Sequence, residues 1–254
     1  LFLQDLEKVK SVGIDPERYQ FSSLKKLLDD YRTGKPDLND VVALDTTITL
    51  YYLRASHDLL FGMIAPKSVD SLWFHANDSV WKTDHIVTSL SANKYPSLDS
   101  FRSHLRMYAV LKSGLQHYQS LLQHDSLRNL KASIRNDSMA GNAIESIISV
   151  ETPWLTTISD TLSGIAARIQ AFQQYYGIKR TGKLDSATRS YLQRDPREVI
   201  EVIAANMERV RWLPRDMKQD HVMVNIPTMD FVMKREGNTI IKMNVVVGKS
   251  SRQT

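Results

Sequence analysis

The stretch LDSFRSHLRMYAVLKSGLQHYQSLL, residues 98–122, shows the clearest secondary-structure pattern of the chain. Its apolar residues recur every three or four positions, which is the spacing of one face of an α-helix. They are Leu98, Phe101, Leu105, Tyr108, Leu111, Leu115, Tyr118 and Leu122. The pattern predicts a helix over residues 98–123, whose aromatic residues we interpret as core, in a mainly α-helical protein.

The chain before this helix has the same periodicity in shorter pieces. Ser22 or Ser23 is the expected N-cap of a short helix, because a serine hydroxyl can accept a hydrogen bond from the first helical turn. A longer amphipathic helix is expected over residues 40–62. Pro66 should end that helix, since proline cannot continue a helix interior. Together these pieces predict a helical scaffold.

Two stretches lack a clear periodicity of apolar residues. Residues 66–100 contain several aromatic residues between polar ones, and we expect short helices and loops there. Residues 124–145 are polar, with turn signals around residues 136–138, and we interpret them as a linker or the start of a second small domain.

The next part of the chain predicts three further helices. The first covers residues 165–176 and should end at Gly177, because glycine readily adopts the left-handed conformation of a helix end. A turn then leads to a helix that Asp185 or Ser186 can cap. A third helix is expected over residues 195–211.

The pattern changes from helical to alternating after residue 214. Residues 221–227, 231–234 and 240–247 are rich in β-branched residues, and residues 236–238 supply a hairpin turn. Two or three strands are too few to bury the face of an isolated sheet. We therefore expect the sequence to stop inside a β-rich domain.

Composition excludes several classes of protein. The chain has 254 residues, 42% hydrophobic and 24% charged, which is typical of a folding sequence. It contains no cysteine, so neither a disulfide nor a thiol nucleophile lies within it. No uncharged run approaches the roughly 20 apolar residues of a membrane span. The seven histidines show no metal-ligand spacing, and we expect no metal and no cofactor.

The net charge of +5 is concentrated in one part of the chain. Residues 165–218 hold eleven Lys and Arg against six Asp and Glu, which gives +5 for that part alone. Such an excess is typical of a solvated surface, but it also suits a polyanion or an acidic cell-wall polymer. A basic helical protein that binds nucleic acid is a further alternative, and we expect no nucleic-acid partner.

Three segments resemble the large L,D-transpeptidases, and they occur in the order of that family. Residues 169–178, IQAFQQYYGI, with the turn and helix after them, resemble the second half of its three-helix peptidoglycan-binding domain. Residues 206–214, NMERVRWLP, resemble its linker helix, and residues 224–227 with 245–249 resemble the first strands of its YkuD-type catalytic domain. More weakly, the first part resembles its helical scaffold.

The resemblance implies a domain order. Residues 1–123 would be a helical scaffold, 124–197 a peptidoglycan-binding-like domain with linker, 198–217 a linker helix, and 218–254 an incomplete catalytic domain. The first helix of the binding domain is expected within residues 142–155. Glu208, Arg209, Arg211 and Trp212 are expected to anchor the linker helix to the next domain.

The resemblance also implies an activity, a location and partners. The family forms an acyl-enzyme on a cysteine and crosslinks peptidoglycan tetrapeptide stems, so the nucleophile would lie outside this chain and the chain alone would be inactive. The partners would be peptidoglycan stem peptides and glycan, in the periplasm or cell envelope, after export by a signal or anchor outside this chain. A non-catalytic peptidoglycan-binding or scaffolding protein is the alternative, and the oligomeric state is open.

Four residues around the glycine stop are the candidate peptidoglycan-binding site. Tyr175 and Tyr176 could stack on sugar faces, and Lys179 and Arg180 could pair with stem carboxylates. The structural alternative is that Tyr176 belongs to the core and that the two bases complement the C-terminal end of the helix.

Overall fold

A computed structural model describes residues 2–71, 73, 83–92, 94–134, 141–158, 164–214, 217, 220–226, 228–246 and 248. The protein is mainly α-helical with a small antiparallel sheet, as predicted. The turn predicted at residues 136–138 and the end of the last predicted strand at residue 247 lie outside the described residues. No helix in the described part is long and apolar enough to cross a bilayer.

Residue contacts divide the chain into two compact units. Unit 1 comprises Leu1–Asp5, Lys26–Tyr108 and Glu208–Thr254, and unit 2 comprises Leu6–Lys25 and Ala109–Met207. The helices of the first part are α1 (Phe2–Glu7), α2 (Phe21–Thr33), α3 (Leu38–Phe61), α4 (Pro66–Val69), α5 (Thr83–Ser91) and α6 (Arg106–Leu121), with 3₁₀ turns at Lys8–Val12, Pro16–Tyr19 and Leu98–Phe101. The later helices are α7 (Asp125–Ser133), α8 (Gly141–Glu151), α9 (Pro153–Ile158), α10 (Ile165–Tyr175), α11 (Ser186–Leu192) and α12 (Pro196–Arg211).

Helix α3 forms where the long amphipathic pattern predicts it. Its first turn is a capping box: the Asp40 N–H donates to the Asp37 carboxylate at 2.9 Å, and the Asp37 N–H donates to Asp40 at 3.0 Å. The helix ends at Phe61, and Pro66 begins α4 instead of ending α3. The prediction for Pro66 was therefore wrong, because proline also suits the first position of a helix.

Tyr52 of α3 is the centre of an aromatic group in unit 1. Its ring lies 5.7 Å from Phe2, 5.8 Å from Tyr95 and 6.3 Å from Phe101, each in an edge-on arrangement. The Tyr52 hydroxyl donates to the Pro96 carbonyl at 2.7 Å. Burial raises the pKa of Tyr52 to about 12, so the phenol stays neutral and keeps this hydrogen bond at physiological pH.

The helix predicted over residues 98–123 is broken near its start. Leu98–Phe101 forms a 3₁₀ turn, and the α-helix begins only at Arg106. The Asp5 carboxylate accepts hydrogen bonds from the Ser97 hydroxyl at 2.7 Å and the Leu98 N–H at 3.1 Å. These bonds hold the first residues in a turn, although Leu98 is buried as the apolar pattern predicts.

Neither Ser22 nor Ser23 caps a helix. Helix α2 begins at Phe21, after Gln20 has adopted a left-handed conformation with φ of 51°. The Ser22 hydroxyl instead donates to the Glu17 carboxylate at 2.5 Å. Ser22 thus lies within the first turn of α2, and the prediction that Ser22 or Ser23 is the N-cap was wrong.

The polar stretch 124–145, which we interpreted as a linker or the start of a second small domain, contains α7 and the first residues of α8. Leu127 and Lys131 of α7 are buried, and so is Ile134 directly after it. A buried charged residue made this helix look like a polar segment, which is why the sequence pattern missed it.

An apolar core lies around α8 and α10 in unit 2. Its buried members are Tyr118, Leu121, Leu127, Ile134, Ile144, Ile147, Ile148, Leu155, Ile169, Phe172 and Leu192. Helices α8 and α9 occupy the region where the first helix of a binding domain was expected. The core therefore joins residues of α6 and α7 with the helices of the segment that resembles a peptidoglycan-binding domain.

The sheet has three antiparallel strands in the order β1 (His221–Asn225), β2 (Asp230–Arg235) and β3 (Asn238–Asn244). Glu236 and Gly237 both have positive φ, of 49° and 80°. A two-residue hairpin turn of type I′ requires positive φ at both of its central residues. The register pairs Val224 with Phe231 and Phe231 with Met243, and β3 is exposed along its whole length. The strands and the hairpin agree with the alternating sequence pattern.

Candidate functional site

Gln173 organises the part of unit 2 that carries the candidate residues. Its side-chain oxygen accepts hydrogen bonds from the Thr181 N–H at 2.7 Å and the Gly182 N–H at 2.9 Å. Its amide nitrogen lies 2.8 Å from the hydroxyls of Thr181 and Thr188 and 3.1 Å from the Lys183 carbonyl. Because Gln173 is completely buried, these bonds fix the turn after α10 to the helix itself.

Asp185 caps α11, as predicted. Its carboxylate accepts from the Thr188 N–H at 2.8 Å, the Thr188 hydroxyl at 2.7 Å and the Thr181 hydroxyl at 2.8 Å. Hydrogen bonds from Thr188, together with the one from Thr181 and the charge of Lys179, lower the pKa of Asp185. Asp185 and Gln173 thus both form hydrogen bonds with Thr181 and Thr188, and the four residues belong to one hydrogen-bond network.

Gly177 ends α10 in the predicted manner. It has φ of 65°, and the Ile178 N–H donates back to the Gln173 carbonyl at 2.9 Å. This reversal leaves Tyr175 on the surface with 53% of its area exposed and places the exposed Lys179 and Arg180 directly after the stop. Of the four candidate residues, three are therefore accessible to a ligand.

Tyr176 lies in the packed half of this region. Its ring is 4.6 Å from Phe172 and 5.2 Å from Tyr191, and its hydroxyl is 3.2 Å from that of Tyr118. Burial raises the pKa of Tyr176 and also that of Tyr118, so both phenols are neutral. Tyr176 is therefore partly buried and packs against the core of unit 2, in agreement with its interpretation as a core residue.

Trp154 joins the candidate site, and sequence reasoning missed it. Its ring lies 5.7 Å from Tyr175 and 5.6 Å from His117, and it is half-buried. The Tyr175 ring in turn stands perpendicular to Tyr176 at 5.1 Å. Trp154 and Tyr175 thus form an aromatic surface, which we call the Trp154–Tyr175 patch.

The end of α12 forms a second buried polar group, in unit 1. The Glu208 carboxylate accepts from the N–H groups of Met63 and Ile64 at 2.5 and 2.9 Å. It also pairs with the buried Arg211 at 2.8 Å, and Arg211 donates to the Tyr108 hydroxyl at 3.2 Å. These contacts anchor the end of α12 to the segment after α3, and the anchoring of the linker helix to the next domain stays a prediction.

Gly62 makes this anchor possible. It has φ of 91°, and a Cβ there would lie 2.5 Å from Glu208 Oε1 and 2.7 Å from Trp212 Nε1. Only glycine combines this backbone conformation with so close an approach. Trp212 itself is buried and packs edge-on against Trp73 at 5.5 Å.

Among the described residues, no group of three or more His, Asp or Glu side chains is placed to hold a metal ion.

A family model described as a scaffold domain matches residues 1–115. The match fits the scaffold of L,D-transpeptidases and covers most of the helical scaffold predicted over residues 1–123. The search of curated proteins found no match. The peptidoglycan-binding and catalytic segments stay predictions from the sequence.

Proposed function

We propose that this chain is the scaffold and wall-binding part of a peptidoglycan L,D-transpeptidase of the periplasm or cell envelope. The observation that carries the proposal is the scaffold match over residues 1–115. The elements after the scaffold support it, because a glycine-stopped helix, an Asp-capped helix, a long helix and a small sheet occur in the order of the resemblance.

The proposed reaction needs a group that these residues do not contain. A thiolate attacks the stem-peptide carbonyl, the terminal alanine leaves, and an amine from a second stem then releases the acyl group as a crosslink. Since the 254 residues include no cysteine, the thiol would have to lie outside them. The alternative is a non-catalytic wall-binding or scaffolding protein.

Mass spectrometry separates these two functions. We expect a carbapenem, an acylating mimic of the stem substrate for this family, to add its mass to a cysteine in the full product of the gene. The 254-residue chain should gain no mass, because it has no thiol. A full gene product that gains no mass would favour the non-catalytic function. An adduct on the 254-residue chain would contradict the cysteine mechanism.

The wall-binding surface of the proposal is the Trp154–Tyr175 patch with Lys179 and Arg180. Aromatic faces stack on the C–H faces of sugar rings, and Tyr175 is exposed enough to do so. The two exposed cations can pair with the carboxylates of peptide stems. The Gln173 network holds these residues in place because it fixes the turn on which the cations lie.

Retention on purified sacculi tests this surface. We expect Tyr175→Ala to weaken retention about tenfold, the value of one lost stacking contact of ~1.4 kcal/mol. Lys179→Gln/Arg180→Gln should weaken it by a similar factor, and more at low salt than at high salt, because exposed charges are screened.

Tyr31→Ala is the matched control, since it removes another exposed tyrosine at a distance in sequence from the site. Full retention by Tyr175→Ala and by the charge variant would exclude this surface. Tighter retention on duplex DNA than on sacculi at ~0.15 M salt would favour the nucleic-acid alternative instead.

A further inference from the structure

A row of aromatic rings in unit 2 connects the Trp154–Tyr175 patch to Arg194. The ring of Tyr175 lies 5.1 Å from that of Tyr176, which in turn lies 5.2 Å from the ring of Tyr191. The guanidinium carbon of Arg194 is 4.4 Å from the centre of the Tyr191 ring, a cation–π contact. The row therefore ends at an exposed cation that is not part of the proposed wall-binding surface.

Positive charge is dense in the segment that carries Arg194. Residues 179–194 hold five Lys and Arg against a single Asp, which gives +4 within sixteen residues. One of the five, Arg189, donates a hydrogen bond to the Ile134 carbonyl. The other four are exposed, and we call them the 179–194 cations: Lys179, Arg180, Lys183 and Arg194.

The charge of the 179–194 cations is not neutralised locally. In the part of the chain that the structure describes, none of the four forms an ion pair with a carboxylate. Neighbouring arginines differ in this respect, since Arg168 pairs with Glu145 at 3.2 Å and Arg197 pairs with Asp195 at 3.3 Å. The carboxylate of Asp185 instead accepts hydrogen bonds within its own network. This surface therefore attracts anions.

Buried side chains hold the backbone at both ends of the charged segment. The Gln173 amide nitrogen donates to the Lys183 carbonyl at 3.1 Å, which ties the turn of the first three cations to α10. At the other end, the Lys131 ammonium donates to the Arg194 carbonyl at 2.5 Å. Because the backbone is already fixed, a partner that binds the cations has mainly side chains to order, which lowers the entropic cost of binding.

We propose that this surface of unit 2 docks on a bilayer that contains anionic phospholipids. The 179–194 cations would contact headgroup phosphates, and the guanidinium groups among them can bind a phosphate through two N–H donors at once. Trp154 and Tyr175 would lie at the membrane–water interface, which is the position that tryptophan and tyrosine prefer. Several unpaired cations beside exposed aromatic rings suit a surface with many phosphates. This partner does not depend on the proposed wall-binding function, although the two surfaces share Tyr175.

Sedimentation of the 254-residue chain with lipid vesicles tests the proposal. The probes are vesicles of phosphatidylcholine alone and vesicles with about 30 mol% phosphatidylglycerol, and we expect the chain to bind the anionic vesicles more tightly. One Lys or Arg near an anionic bilayer changes binding about fivefold, so Lys183→Gln/Arg194→Gln should weaken binding about 25-fold. Raising the salt concentration to ~0.5 M should also weaken it, because salt screens exposed charges.

A charge-matched variant and a positional probe complete the design. Arg32→Gln/Lys35→Gln removes the same charge from two exposed positions of unit 1, and it should change vesicle binding less than about twofold. Brominated phosphatidylcholine quenches tryptophans that reach the bilayer. We expect it to quench the wild-type chain and Trp154→Phe to lose most of this quenching, because Trp154 belongs to the docking surface. Circular dichroism should show an unchanged fold in each variant.

Four results would overturn the proposal. Equal binding to uncharged vesicles would place the contact on apolar surface such as the exposed strand β3. Equal weakening by Arg32→Gln/Lys35→Gln would show an effect of net charge alone. Release from the vesicles by about 10 mM inorganic phosphate at constant ionic strength would indicate a site for free phosphate. Duplex DNA that binds as tightly as the anionic vesicles, and equally depends on Lys183 and Arg194, would favour nucleic acid as the partner.

The same variants separate membrane docking from wall binding. Lys183 and Arg194 lie outside the proposed wall-binding surface, so Lys183→Gln/Arg194→Gln should lose vesicle binding and keep its retention on sacculi. If vesicle binding behaves as expected while sacculus retention is insensitive to Tyr175→Ala, the docking surface stands and the proposed wall-binding surface fails. If retention depends on Tyr175 but Lys183→Gln/Arg194→Gln binds anionic vesicles as the wild type does, the docking surface fails alone.

Discussion

Replacing Glu208 by alanine should lower the free energy of unfolding by about 3–5 kcal/mol, the usual cost of removing one partner from a buried ion pair. Glu208 is 5% exposed and Arg211 is 2% exposed. The variant would leave the buried guanidinium without its carboxylate and two backbone N–H groups, of Met63 and Ile64, without their acceptor. Chemical denaturation at neutral pH measures the loss.

Two further variants separate the charge from the hydrogen bonds. Glu208→Gln keeps an oxygen for the backbone N–H groups but removes the charge, and we expect a smaller loss, about 2 kcal/mol. Glu201→Ala changes an exposed glutamate of the same helix and should cost under ~0.5 kcal/mol. If Glu208→Ala cost no more than Glu201→Ala, the Glu208 carboxylate would not anchor the end of α12.

Local sequence signals predicted much of the fold because their contacts lie close in sequence. The Asp185 cap, the Gly177 stop and the Glu236-Gly237 turn each depend on residues within a few positions. The helix predicted over residues 98–123 is interrupted near its start by a contact that is distant in sequence. It depends on Asp5, more than 90 residues away in sequence, and no local pattern contains that contact.

The sequence also predicted part of the candidate site, again where the signal was local. The glycine stop placed Tyr175, Lys179 and Arg180 on the surface, but nothing near them pointed to Trp154. Trp154 reaches Tyr175 only because α9 packs against α10. Helix α7 was missed for a related reason: Lys131 is buried with Glu151, so the helix resembled an exposed polar segment.

Lys131→Met should destabilise the protein by about 3–5 kcal/mol at pH ~7, because it leaves the 4% exposed Glu151 carboxylate without its cation. Methionine has nearly the length of lysine, so the loss reflects the charge and the hydrogen bond to the Arg194 carbonyl more than a cavity. Urea unfolding of the variant and the wild type at one pH gives the difference.

The loss in this variant should depend on pH. Burial raises the pKa of Glu151, and Lys131 works against that shift. A carboxyl whose folded pKa is raised stabilises the fold fully below its unfolded pKa, and this contribution is lost as pH rises through the folded pKa. Without Lys131 the pKa rises further, so Lys131→Met should lose most stability at pH ~8 and recover part of it toward pH ~5.

A double variant identifies the carboxyl as the cause. Lys131→Met/Glu151→Gln has no buried charge at this position, so its stability relative to the wild type should lack the recovery at low pH, and part of the loss at neutral pH should be restored. If Lys131→Met showed the same loss at pH ~8 and pH ~5, removal of the lysine would not change the protonation of Glu151 in the folded protein between these values, and the stabilisation would come from the lysine hydrogen bond and packing instead.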